Sequence, residues 1–410
     1  MILSCTKNES DKTVFKNVNI IPMTEDEKVL ENYSIYISGG IIISIGKFDE
    51  LKYPDKTKII DSWGKYLVPG FSDMHVHIAY PEECNIFIAN GVTLVRNMWG
   101  SEKLLEEREK IQKGKIPGPE IFTAGPAIDG RNSIWQNALI IDNIEDVTTA
   151  ITGMKDAGYD AIKILDNLTP EVYDKIISVS NKMGIPVVGH VPLNVGIEHI
   201  LSSGQKSIEH LSGYNIFGYE KDMENDIRMT VDNGIWNCPT LIILKNLSNL
   251  NQIKNADIPE IRYVHPERLN RWSERFSSSL NNIYRYQRLL KKLGDSGANI
   301  VSGTDTGTPY VITGFSLHQE FILMSEAGLK PYQILLSTTV NPARMLGILD
   351  KKGTIEEGKD ADLVLLNKNP LLDIRNTQTI EGVMIKGAWL PKKALQHKLD
   401  VVEKKYKKLK

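Results

Sequence analysis

Phe71-Ser72-Asp73-Met74-His75-Val76-His77 is a short apolar stretch with two histidines two positions apart. On a β-strand, residues i and i+2 face the same side, so both imidazoles can reach one metal ion from one strand end. Taken alone a His-x-His pair is a weak signal. The segments downstream repeat the theme. Val187-Val188-Gly189-His190, Ser207-Ile208-Glu209-His210 and Val301-Ser302-Gly303-Thr304-Asp305 each end a strand candidate in a metal-ligand residue. Ala161-Ile162-Lys163-Ile164 places one lysine inside an apolar strand. Strand candidates at 71–77, 92–98, 120–127, 161–165, 186–191, 206–211, 236–242 and 299–305 alternate with amphipathic stretches such as 102–113 and 170–183. That alternation is the βα signature of a parallel sheet, and eight such units predict an α/β fold, a (β/α)8 TIM barrel over residues 71–345. In a barrel, the C-terminal strand ends meet on one face, where active sites lie. One buried histidine can simply satisfy a backbone carbonyl, and Lys163 can extend its head to the rim. All six together point to a shared metal centre.

Both flanks read as β-rich. Residues 13–70 carry alternating runs, with Gly39-Gly40 between Ser34-Ile35-Tyr36-Ile37 and Ile41-Ile42-Ile43 as a hairpin signal. The stretch 353–387 has the same style. A small β-sandwich built from residues 1–70 plus 346–395 is expected. Residues 245–296 are too long for one βα connection and predict a helical insertion, either a lid or a packing layer, with Tyr263, His265, Trp272, Phe276 and Tyr284 interspersed. The lysine-rich tail 396–410 reads as a solvated terminal helix, because Leu395, Leu399, Val402 and Tyr406 form a stripe at helical spacing.

The 410 residues carry 49 Lys+Arg against 51 Asp+Glu, a net charge of -2. This balance argues against a nucleic-acid partner, which usually meets a basic excess. No apolar run approaches the ~18 residues of a membrane span. Cys5, Cys84 and Cys238 are too few and scattered for a disulfide framework. The start, Met1-Ile2-Leu3-Ser4-Cys5, looks like a bacterial lipoprotein cleavage site without its charged n-region and most of its apolar h-region. The expected location is therefore the cytoplasm, or the cell envelope if Cys5 is a lipidation site in a longer precursor. A homo-oligomer is compatible with the sequence.

These residues, with Val68-Pro69-Gly70-Phe71 before the histidine pair and Gly353…Gly358-Lys359-Asp360-Ala361-Asp362-Leu363-Val364 near the end, resemble the amidohydrolase superfamily. Within it the chain looks similar to the imidazolonepropionase-like and prolidase-like group, supported by 159–163, 207–210, 317–320 and Asn341-Pro342-Ala343. The resemblance implies that His75, His77 and Asp305 bind the more buried of two metals and that His190 and His210 bind the second. It also implies that Lys163 bridges both as a CO2-derived carbamate, an anionic two-oxygen ligand. Mixed imidazole and oxygen donors suit Zn²⁺, with Mn²⁺, Fe²⁺ or Co²⁺ as alternatives. The implied chemistry is hydrolysis of an amide C–N bond in a dipeptide, an Xaa-Pro-like substrate or an N-acyl amino acid. Asp305 would act as general base and then general acid. No GxSxG elbow, Walker A loop or dinucleotide fingerprint competes.

Substrate contacts are expected from Tyr214, Arg96 and His318, with Tyr80, Trp99 and Trp135 as further pocket residues. His199, His265 and His397 read as structural or surface groups, and Cys84 and Cys238 as packed thiols. Two rivals stand beside this reading. One is cyclic-amide hydrolysis of the imidazolonepropionase type, which is mononuclear and has no use for Lys163. The other is a non-catalytic barrel scaffold, which would be expected to have lost metal ligands.

Overall fold

The computed structural model describes residues 12–24, 27–216, 220–273 and 282–409. Cys5 and Phe276 lie outside them, as does part of the expected insertion.

Strand and helix alternate as their sequences dictate. Ile162–Ile164 is followed by helix Pro170–Met183, whose start is fixed by Thr169 accepting the Val172 N–H and by Pro170 at the first helical position. Its apolar stripe, including Val172, Tyr173 and Ile176, is buried, and Gly184 ends it at φ 67°. The chain then returns as Val187–Gly189, parallel to Ile162–Ile164, with Lys163 opposite Val188.

Strands Phe71–Val76, Val92–Asn97 and Glu120–Thr123 pair in parallel in that order. A second parallel sheet runs in the order Leu139–Ile140, Ile128–Asp129, Ile162–Ile164, Val187–Gly189, Ser207–Glu209, Trp236–Cys238, Asn299–Ile300. A bridge between Ala124 and Ala161 joins the two sheets on one side. On the other, Met74 N donates to Ser302 O at 2.9 Å, His77 N to Thr306 O at 2.9 Å and Asp305 N to His75 O at 2.7 Å. This is the connectivity of a TIM-barrel-type α/β fold. The last strand sits close to the first because Gly303 carries no Cβ, which would stand 2.4 Å from Cys238 Sγ and 2.8 Å from His75 N.

Strands from both chain ends share one further sheet. Tyr66–Pro69 pairs with Leu363–Leu366, and Thr13–Ile20 pairs with Leu30–Ser38, Lys58–Asp61 and Tyr66–Pro69. Phe15, Val18, Ile35, Leu67, Leu363 and Met384 form its own buried cluster.

One element departs from expectation. The apolar run after Trp236–Cys238 forms helix Leu241–Ser248 instead of extending the strand. The buried Glu320 carboxylate accepts from Leu241 N at 2.8 Å and Ile242 N at 2.7 Å, which satisfies the first turn of that helix. The tail forms helix Lys392–Lys407 with Leu395, Leu399, Val402 and Tyr406 buried. No helix among the described residues is long and apolar enough to cross a membrane.

Candidate metal centre

The strand ends bring the histidines together. Asp305 Oδ1 lies 2.8 Å from His77 Nε2 and 3.4 Å from His75 Nε2. The donor atoms of His75, His77 and Asp305 are close enough to hold one metal ion. Ring centroids of His75 and His210 are 4.6 Å apart, and those of His190 and His210 are 5.1 Å apart. Lys163 is 2% exposed, and its Nζ has no hydrogen-bond partner. A buried polar group without a partner is rare and costly, and it points to something that binds there.

Three of the four imidazoles are oriented through their other nitrogen. His75 Nδ1 lies 2.8 Å from Glu209 Oε2, His190 Nδ1 lies 2.8 Å from Asp166 Oδ1, and His210 Nδ1 lies 2.6 Å from Thr240 Oγ1. An ionised carboxylate only accepts, so His75 and His190 donate from Nδ1 and present an Nε2 lone pair. Burial would raise Glu209, but the Arg96 guanidinium and His75 hold its carboxyl well below the usual range. Burial pushes His75 down to about 4, which keeps it neutral. Burial acts upward on Asp305, yet His75, His77 and His210 hold it low. Burial lowers Lys163 to about 8, and its neutral amine is the form that adds CO2.

Backbone strain gathers at the same place. His210 (φ 61°), Thr240 (φ 47°) and Asp305 (φ 64°) are all left-handed without being glycine. Such conformations persist only where surrounding structure imposes them, and they cluster at functional sites.

Arg96, Tyr214 and His318 make internal contacts in place of the expected substrate contacts. Arg96 donates to Met74 O at 2.7 Å, to Ser207 Oγ at 3.0 Å and to both Glu209 oxygens at 2.8 and 2.9 Å. The buried Tyr214 hydroxyl donates to Asn237 Oδ1 at 3.0 Å and lies 2.8 Å from Thr230 Oγ1. His318 is used at both nitrogens, with Thr377 Oγ1 at 3.0 Å and Asn90 O at 3.2 Å. Burial forces these polar groups to find partners inside the protein. Trp99 does face the centre, with its ring centroid 6.5 Å from that of His77, and Trp135 stands 6.1 Å from Trp99. Tyr80 stacks on His265 at 3.7 Å. His199 pairs with Asp174 at 2.7 Å and is half exposed; His397 is exposed; Cys84 and Cys238 are buried.

The orienting groups Glu209, Asp166 and Thr240 carried no role in the sequence reading. A signal for Glu209 was present: two charges, Arg96 and Glu209, each sit on a buried strand and need one another. The insertion is tied to the same strand ends. Arg268 Nη1 pairs with the buried Glu83 carboxylate, Arg268 Nη2 donates to His77 O at 3.0 Å, and Trp272 Nε1 donates to Gly307 O at 3.1 Å. Arg268→Met leaves Glu83 buried without its counter-ion. The expected loss is about 3–5 kcal/mol of unfolding free energy. Urea unfolding reads it, and an unchanged midpoint would remove this pair from the stability of the insertion.

Comparison with known proteins agrees with the geometry. Residues 66–390 match the amidohydrolase family. An imidazolonepropionase from Thermoplasma acidophilum is 25% identical over 376 residues, covering 83% of this chain and 84% of that protein. Among solved structures, a Xaa-Pro dipeptidase with methionine in its active site superposes with a TM-score of 0.74 at 24% identity, covering 93% of this chain and 100% of that one. A bottromycin amidohydrolase superposes with a TM-score of 0.81 at 22% identity, covering 98% and 92%. The chain belongs to the amidohydrolase family, hydrolases acting on carbon–nitrogen bonds.

Proposed function

We propose that this protein hydrolyses an amide bond in a small molecule or short peptide, of the dipeptide, Xaa-Pro or N-acyl amino-acid class, at a centre of two divalent metal ions. His75, His77 and Asp305 would hold one ion and His190 and His210 the other, with Lys163 reaching both as a carbamate. The observation that carries the reading is the partnerless Lys163 Nζ buried beside this histidine cluster. The donor set fits Zn²⁺, and the Nδ1 partners leave the Nε2 atoms of His75 and His190 for ligation. When bound, such ions lower the pKa of water toward ~7 and polarise a substrate carbonyl.

The protein's own residues do the rest. Asp305, ionised at neutral pH, accepts the proton of the attacking water on its carboxylate and delivers it to the leaving nitrogen. Arg96 and Glu209 fix the tautomer of His75, and Asp166 fixes that of His190. The same reading gives residues 71–345, with the insertion 245–296, the catalytic role. It assigns 1–70 and 346–395 to a small β-sandwich, with 396–410 as a basic tail.

A second reading, cyclic-amide hydrolysis, is favoured by the imidazolonepropionase relative. It gives Lys163 no task. Metal analysis separates the two, with about two ions per chain for the first and about one for the second. The test is a screen of dipeptides and N-acyl amino acids with metal-loaded protein. Turnover is expected, to be lost on chelation and restored by Zn²⁺. A metal-loaded protein that cleaves none of them, or activity indifferent to chelation, would count against the proposal.

A further inference from the structure

The mouth of the centre carries an apolar rim that the hydrolytic machinery does not use. Trp99 follows strand Val92–Asn97 and lies 6.5 Å, centroid to centroid, from the His77 ring. Trp135 meets Trp99 edge-on at 6.1 Å, and 36% of it is exposed. Its neighbour Ile134 is 80% exposed. The exposed Leu139 and Ile140 pair with strand Ile128–Asp129. Asp129 in turn accepts from Asn167 N at 2.7 Å, and Leu193, 80% exposed, donates its N–H to Asp166 O at 2.9 Å. These exposed apolar residues lie on the segments that follow the strands around Lys163 and His190, and the Trp99–Trp135 pair is the part in direct ring contact with the centre. Scattered exposed apolar residues are ordinary, whereas two tryptophan rings in contact beside a reactive centre mark a binding surface. Arg96 is committed to Glu209, and Arg131, on the same loop as Trp135, pairs with Asp142 at 3.1 Å.

We propose that the Trp99–Trp135 wall is a subsite for a flat, apolar or aromatic side chain next to the scissile amide. The inference rests on the amide-hydrolysis reading and narrows its substrate class. Tryptophan offers a large rigid face that stacks on an aromatic group or covers an aliphatic one, and its only polar group is a single N–H donor at the ring edge.

The test uses metal-loaded full-length protein and inert methyleneamine isosteres of phenylalanyl-alanine, alanyl-phenylalanine, seryl-alanine and alanyl-serine. Their affinities are read by titration calorimetry, beside turnover of the four parent dipeptides. In at least one position the aromatic isostere is expected to bind at least about tenfold tighter than its serine counterpart. Trp135→Ala, at an exposed site where folding is not at stake, is expected to reduce that preference to within about threefold while metal content stays unchanged. Trp99→Ala provides the second variant. Equal binding of aromatic and serine isosteres, or a preference untouched by either substitution, overturns the subsite. Dipeptide turnover with no aromatic preference overturns it while the amide reading stands. Trp-dependent binding without turnover of any parent dipeptide supports the subsite and counts against the hydrolytic reading.

Discussion

Asp305→Asn is expected to lower kcat by at least ~10²-fold while the fold survives. The residue sits where the last strand meets the first, with Oδ1 2.8 Å from His77 Nε2 and its backbone N–H on His75 O. Its φ of 64° is left-handed, and asparagine is among the few residues that accept that conformation readily. Shape and backbone are therefore kept, and the substitution removes the charge and the ability to carry a proton. An amide cannot accept a proton from water at neutral pH, so the leaving nitrogen would depart unprotonated. Metal content must be measured on the same sample, because Asp305 is also a proposed ligand. Near-native kcat in a variant with its full metal complement would remove Asp305 from proton transfer.

How much of this was open to a reader of the sequence depends on the kind of signal. His75 and His77 announce themselves through the two-residue period of a strand. Lys163 does so through a charge within Ile162-Lys163-Ile164. These are local patterns. Arg96 shows the opposite case. An arginine in Val92-Thr93-Leu94-Val95-Arg96-Asn97 reads equally as a substrate clamp or as half of an ion pair, and its partner Glu209 is 113 residues away. Pairings across the fold leave no trace in spacing, so Asp166 on His190 and Thr240 on His210 could not be read either. The run at 239–242 was ambiguous for another reason. Short apolar stretches suit a strand or a buried helix equally, and the decision came from Glu320, 79 residues downstream of Leu241. The strained backbone at His210 and Asp305 was hidden as well, since neither residue is the glycine that usually signals a left-handed turn.

Lys163→Ala is expected to lose the second metal ion and most of the activity. Ile162, Ile164 and Leu165 are buried around it, and nothing in the described residues hydrogen-bonds its Nζ. As a bare ammonium it would be destabilising twice over, once for its missing partner and again beside two divalent cations. Like charges a few ångströms apart repel by about 4 kcal/mol even at an effective dielectric of 20. Addition of CO2 to the neutral amine releases a proton and reverses the sign, turning the residue into a two-oxygen anion. If instead Lys163 merely extends along the strand as a packed stem, its truncation removes methylenes and leaves metal binding alone. The two cases separate by stoichiometry on purified Lys163→Ala, with one ion per chain or fewer in the first and two in the second. Acetate or propionate should partly restore both metal and turnover in the first case, because a small carboxylate placed in the vacated volume supplies the missing oxygens. Two ions per chain with full activity would sink the bridging role of Lys163.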